Sequence, residues 1–191
     1  MKHIAITGGI GSGKSYVCRL LTEHFGISVY DCDAAAKRLM RTSARLRQEL
    51  TQLIGPGTYH PESGMLNKAA VAEFLLASDK NKKAIDDIVH PAVADDFMSS
   101  GMAWLESAIL FESGFNTRVS FDAVVVVTAP IEVRLERIMQ RDTISREKAL
   151  QWVERQWPQQ EVTQLSDYEI VNDGQQPLLP QIETILQQLH K

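Results

Sequence analysis

The octapeptide Gly8-Gly9-Ile10-Gly11-Ser12-Gly13-Lys14-Ser15 constrains this chain more than any other stretch, because it fills every position of the pattern G-x-x-x-x-G-K-[ST]. Its flanks have the required character. Ile4-Ala5-Ile6 is a short apolar β-prone run, and Val17, Leu20, Leu21 and Phe25 recur at helical spacing. Strand, loop and helix in that order make a phosphate cradle. The glycines let the backbone wrap closely with successive N–H groups turned inward, and the helix N-terminus adds partial positive charge. Lys14 is placed to reach the β- and γ-phosphates and the Ser15 hydroxyl to ligate Mg²⁺, so the loop predicts a nucleoside triphosphate together with its metal.

At 191 residues the chain has room for one α/β domain with a real core and a modest insertion. No charged and apolar leader precedes the first strand, and no apolar run is long enough to span a bilayer, so the expectation is a cytoplasmic protein with no membrane contact. Cys18 and Cys32 are the only cysteines and form no C-x-x-C pair, which points to two small buried residues rather than a disulfide framework or a zinc site. The net charge of −4 argues against a nucleic-acid partner, yet the charge is unevenly spread. Residues 37–47 carry Lys37, Arg38, Arg41, Arg45 and Arg47 with no acid, a local +5. Residues 134–155 carry a local +2, so the remainder of the chain holds −11. Anionic ligands are steered toward the two basic stretches.

Gly26 is a natural helix stop, and Ile27 to Asp31 reads as a second strand running into Asp31-Cys32-Asp33. If the backbone stays extended, the two aspartates share a side, at the carboxyl end of a strand where open α/β sheets bind ligands. Helix capping by one of the pair is the structural alternative; Asp33 is the candidate for chemistry. From Ala34 to about Gly55 the composition is helical, followed by turns at Pro56-Gly57 and Pro61-Glu62-Ser63-Gly64. Asn67 can cap a helix through Leu76, and Asp79 another that reaches His90, where Pro91 breaks or kinks it. The span from about 34 to 100 is far longer than a minimal crossover, which suggests a helical substrate-binding subdomain.

Met102 to Glu112 reads as a third strand with its exit loop, interrupted by Glu106. An acid there needs a partner, and both a Mg²⁺ hydration shell and a neighbouring loop are open as the answer. Asp122 to Thr128 is continuously β-branched, as two-sided burial of a central parallel strand requires. Ala129-Pro130 opens a helix with an apolar stripe of Ile131, Leu135, Ile138 and Met139, while Arg134, Arg137 and Arg141 lie on an adjoining face. Ser145 can cap a further helix whose stripe includes Trp152, Val153 and Trp157, ended by Pro158, with both tryptophans read as core. This second basic stretch reads either as a lid over a transferring phosphoryl group or as a solvated helix face, and the phosphate loop favours the lid. Tyr168-Glu169-Ile170-Val171 is a fifth strand, and a helix bearing Leu178, Ile182, Ile185, Leu186 and Leu189 closes the chain. Between them Asn172 can either contact an adenine edge or adopt the left-handed backbone of a turn.

With these pieces placed, the chain resembles the dephospho-coenzyme A kinase family over essentially its whole length. The resemblance rests on Thr7 through Ser15, Asp31-Cys32-Asp33, His90-Pro91, Leu110-Phe111-Glu112, Arg137 with Arg141-Asp142, Arg155-Gln156, and Asp167 with Ile170, Asn172 and Gly174. It implies an α/β phosphate-loop (P-loop) kinase fold with a five-stranded parallel sheet flanked by helices. The chain would be a single domain with a core of about 1–33, 101–136 and 160–191, an acceptor-binding insertion of about 34–100 and a lid of about 137–159. The implied reaction moves the γ-phosphoryl group of ATP to the ribose 3′-hydroxyl of dephospho-coenzyme A. Asp33 matches the family's general base, with Lys14 and Arg141 as its catalytic companions, and Lys37, His90 and Glu112 match positions near the acceptor. Gly9, Ile10, Gly11, Ser12, Gly13, Lys14, Ser15 and Tyr16, with Arg137 and Asn172, make the ATP set, and Ser15 with Glu106 through water the metal set. Tyr16, Ala108 and Cys32 depart from the family's usual small residue, proline and alanine, which bears on packing rather than on any catalytic group. Competing readings are a kinase for another small molecule and a nucleotide-dependent switch. Against a GTP switch, Asn67-Lys68-Ala69-Ala70 and Asn81-Lys82-Lys83-Ala84 both lack the aspartate of N-K-x-D.

Overall fold

The computed structural model describes residues 2–189. The chain divides into two compact units, one formed by the chain up to Asp31 and from Met102 onward, the other by Cys32–Gly101.

The first unit is built on five parallel strands: β1 Ile4–Thr7, β2 Val29–Asp31, β3 Trp104–Glu106, β4 Ala123–Thr128 and β5 Tyr168–Val171, in the order β2-β3-β1-β4-β5. Every residue of β1 and β4 is buried, which accounts for their unbroken apolar and β-branched character. Helices α1 Lys14–Phe25 and α10 Leu178–Leu189 cover the sheet, packing Val17, Leu20, Leu21, Ile182 and Leu186 against Ile4, Ile6, Val125, Val127 and Ile170. Helix α1 stops at Gly26, which takes φ 65°; the Gly26 N–H bonds to the Thr22 carbonyl at 3.2 Å, an αL ending, and the Ile27 N–H reaches the Leu21 carbonyl at 3.1 Å. Register pairs Ile6 and Asp31 with Glu106, so the acid of β3 and the acid of β2 stand side by side where those strands end.

Helices α7 Ile131–Asp142 and α8 Arg146–Glu154 pack on one another through Leu135, Ile138 and Ala149, with Trp152 partly buried against them. Helix α8 ends well before Pro158, which instead opens a further helix, α9 Gln159–Gln164. Trp157 therefore lies outside the helical stripe and is 43% exposed, not core. Cys18 and Cys32 are half-buried rather than enclosed. A short α6, Phe115–Arg118, completes the unit.

The second unit is helical: α2 Cys32–Thr42, α3 Ala44–Ile54, a 3₁₀ turn at Pro56–Thr58, α4 Lys68–Ala77 and α5 Asp79–Ser100. Strand β2 is shorter than its composition suggests and the chain turns helical at Cys32, so Asp33 sits in the first turn of α2 instead of extending the strand. The side-by-side arrangement of Asp31 and Asp33 expected of an extended backbone is not formed. Helix α5 does not end at His90. It runs through Pro91, whose missing N–H removes one bond to the carbonyl four residues earlier, and continues for nine more residues to Ser100. Burial of Ile85 and Val89 before the proline and of Val93, Ala94 and Phe97 after it anchors both halves among α2, α3 and α4, which offsets the lost bond. The cap is Ser78, whose hydroxyl accepts from the Asn81 N–H, and Asn67 caps α4 in the same way through Ala70.

The basic run 37–47 is not isolated from acids once folded. Lys37 pairs with Asp33, Arg38 with Asp96 of α5 at 2.6 Å and Arg45 with Glu49 at 2.9 Å. Arg47 stacks on the Tyr59 ring at 4.2 Å and donates to the Gly64 carbonyl. Asp33 and Glu49 lie just outside the run, one helical turn from Lys37 and Arg45, and Asp96 lies on another helix. Among the described residues, no helix is long and apolar enough to cross a membrane.

Thr143, which follows α7, is the one non-glycine among the described residues with positive φ, at 53°. A β-branched side chain in left-handed backbone costs about 1–2 kcal/mol. Thr143→Gly should raise unfolding stability by about 1 kcal/mol and Tm by about 2–4 °C, read by thermal unfolding followed by circular dichroism.

Candidate active site

The loop between β1 and α1 keeps its shape because two of its glycines have no room for a side chain. Gly8 takes φ 137°, and a Cβ there would meet the Val127 carbonyl oxygen at 2.2 Å; at Gly13, φ 94°, a Cβ would meet Asn172 Nδ2 at 2.1 Å. The outward-facing carbonyls are then taken up by side chains from distant elements. Asn172, at the exit of β5, is buried; its amide donates to the Ser12 carbonyl at 2.9 Å and its own N–H to Thr128 at 2.8 Å. Arg137 on α7 donates to the Gly11 and Ser12 carbonyls at 3.3 Å and to the Asn172 carbonyl at 3.0 Å. Ile10 is held at both ends: its N–H donates to Gln156 Oε1 at 2.6 Å and its carbonyl accepts from Arg134 Nε at 2.9 Å. The Ser12 hydroxyl is fully buried without a hydrogen-bond partner among the described residues.

Asn172 thus grips the loop rather than shaping a left-handed turn, the second of the two roles its sequence position allowed. Gly174 takes the positive φ instead. Neither Arg134 nor Gln156 stands out as a loop ligand in the sequence. The usable signals are the one-turn spacing of Arg134 from Arg137 and the place of Gln156 directly after Arg155.

Lys14 is buried, with its ammonium 3.4 Å from the Gly9 carbonyl and 3.8 Å from Glu106 Oε1. Burial pulls its pKa below the ordinary lysine value; Glu106 and Cys18 counter this, and the positive charges of Arg134 and Arg141 add to the lowering. Burial, and then the Glu106 charge, push the nearby Cys18 thiol up to about 12, so it stays a protonated thiol at neutral pH. Ser15, Asp31 and Glu106 line one cavity of about 350 Å³ beside the loop. A hydroxyl with two carboxylates, and no cluster of three or more His, Cys, Asp or Glu among the described residues, is a donor set for an ion that draws its other ligands from phosphate and water. Tyr16 projects outward, with the Arg19 guanidinium 4.9 Å from its ring centroid.

The other candidates make local contacts within each unit. In the helical unit, Asp33 and Lys37 form an exposed ion pair along α2, and His90 Nε2 lies 3.6 Å from Asp86 on α5. In the sheet unit, Glu112 accepts the Trp157 N–H at 3.1 Å, and Arg141 pairs with Asp142 at 2.7 Å.

A family model described as dephospho-CoA kinase matches residues 2–177. The chain belongs to the dephospho-CoA kinase family. A dephospho-CoA kinase of Bacteroides fragilis is 38% identical over 195 residues, covering 98% of this chain and 93% of that protein. One from Porphyromonas gingivalis is 40% identical over 194 residues, covering 98% and 94%. A crystal structure of a Thermus thermophilus protein superposes with a TM-score of 0.82 at 31% identity, covering 98% of this chain and 97% of the other. The parallel sheet flanked by helices is thus the dephospho-CoA kinase fold, with the phosphate loop in its expected place.

Because folding lowers the Lys14 pKa, the unfolded chain holds that proton more tightly; the charged lysine opposes folding below its folded pKa, and the penalty fades as pH rises toward 10.5. Lys14→Met should therefore be more stable than the parent without nucleotide at pH 7, by a margin that narrows as pH approaches 10.5 in urea unfolding, while binding ATP about 100-fold more weakly.

Proposed function

We infer that the protein transfers the γ-phosphoryl group of ATP to the ribose 3′-hydroxyl of dephospho-CoA, giving coenzyme A and ADP, the last step of coenzyme A biosynthesis. The observation that carries this is a braced phosphate loop with a buried Lys14 in a chain that matches the family along nearly its whole length.

Phosphoryl transfer asks for positioning and charge neutralisation more than for covalent help from the protein. The backbone N–H groups of the loop other than those of Ile10 and Ser12, which Gln156 and the Gly9 carbonyl already take, and the Lys14 ammonium hold the β- and γ-phosphates, and Tyr16, Arg137 and Asn172 complete the nucleotide side. Ser15, with Asp31 and Glu106 around it, would hold Mg²⁺, which would supply positive charge to neutralise the phosphates. Asp33 accepts the proton of the attacking 3′-hydroxyl, Lys37 orients that carboxylate through their ion pair, and His90 and Glu112 contact the acceptor. Residues of about 34–100 form the acceptor-binding part, and those of about 137–159 the lid that carries Arg141 over the transferring group. The working compartment is the cytoplasm, with no nucleic acid or membrane partner.

Incubation of the protein with Mg·ATP and a panel of alcohols, followed by mass spectrometry, should add one phosphate to dephospho-CoA; phosphorylation of a different acceptor alone, or hydrolysis without any phosphorylated acceptor, would refute the assignment. Asp33→Asn should lower turnover by about 10²–10⁴-fold with an unchanged circular dichroism spectrum, and near-normal turnover would remove Asp33 as the base.

A further inference from the structure

Arg134 is 5% exposed, and no carboxylate pairs with it among the described residues. A guanidinium carries five N–H donors. Here the Nε donor is spent on the Ile10 carbonyl, and Nη1 and Nη2, which keep some access to solvent, have no protein partner among the described residues. Their location is defined: Nη2 stands 2.4 Å from where a Cβ on Gly9 would be, so the guanidinium lies against the first half of the phosphate loop. The Gln156 amide stands beside it. Its Oε1 is fixed on the Ile10 N–H at 2.6 Å, and its Nε2 has no partner among the described residues.

A buried cation without a counter-charge is costly, and such groups persist where an anion completes them. The surroundings sharpen the point. Lys14 feels the positive charge of both Arg134 and Arg141, while Glu106 is the carboxylate it faces. Cations converge on the loop with too little protein negative charge to balance them. In loops of this kind the N–H groups at the start of the following helix cradle the inner phosphates, which leaves the Gly9–Ile10 end to the terminal one.

We propose that Arg134, together with the Gln156 amide, binds the terminal phosphoryl group of the donor nucleotide and neutralises its charge during transfer, acting as an arginine finger supplied by the chain itself. This rests on the ATP-donor reading above but not on the identity of the acceptor. The alternative role is a brace that only holds Ile10.

The two roles differ in what they do to ATP and ADP. Isothermal titration of the full-length protein with Mg·ATP and with Mg·ADP, without any acceptor, reads the difference directly. Arg134→Met should weaken ATP binding about 10- to 100-fold and change ADP binding by less than about 3-fold, since only ATP carries the terminal group. Equal losses for both nucleotides, or no loss for either, would overturn the proposal and leave Arg134 as a brace. Should Arg134→Met not fold, Arg134→Gln, which can still donate to the Ile10 carbonyl but carries no charge, is read the same way. Failure of the dephospho-CoA assignment would appear in the acceptor panel and leave this ratio untouched.

Discussion

The sheet unit is organised by a hydrogen-bonding problem. A loop that turns its N–H groups toward a ligand must turn carbonyls away from it, and those oxygens need donors of their own. Here the donors come from α7 and from the exit of β5: Arg134 serves Ile10, Arg137 serves Gly11 and Ser12, and Asn172 serves Ser12 again. Two segments that are far apart in the chain therefore meet on one loop. Each glycine that admits such a side chain is thereby fixed in turn, as at Gly13 against Asn172. The cradle is held in shape from outside, so little of its geometry has to be created when phosphate arrives.

Sequence reveals most where a residue's role is local. The loop motif, the β-branched run of β4, the Asn67 and Ser145 caps and the extent of β5 all follow from short-range patterns, and each is present in the fold. Pro91 is different, because a proline's effect on a helix depends on whether tertiary packing holds both flanks, and Val89 and Val93 do so here. Trp157 looks apolar and periodic, yet α8 has already ended three residues before it. The partners of Arg38 and Arg134 lie 58 and 124 residues away in sequence. No window of composition reaches that far.

Charge is likewise used differently in the two units. In the helical unit the exposed cations of 37–47 are largely matched by acids on α2, α3 and α5, pairs that contribute little to stability one by one and act mainly to fix side-chain directions. In the sheet unit Lys14 and Arg134 are buried, and burial disfavours the charged form of each. Exposed charge there would be cheap but poorly aimed. Desolvated charge is costly in the empty protein and strong toward an anion, the trade expected of a site that stabilises charge as it shifts between oxygens.

The exposed indole of Trp157 has an optical consequence. Trp104 packs against the core and Trp152 against α7, so water-exposed emission at the red edge of the spectrum belongs chiefly to Trp157. The backbone N–H of Trp157 donates to Glu112, and the side chain of the residue before it accepts from Ile10. The backbone that carries this ring is thus tied to the carboxylate after β3 and, through its neighbour Gln156, to the phosphate loop, which gives the protein an intrinsic fluorophore next to both.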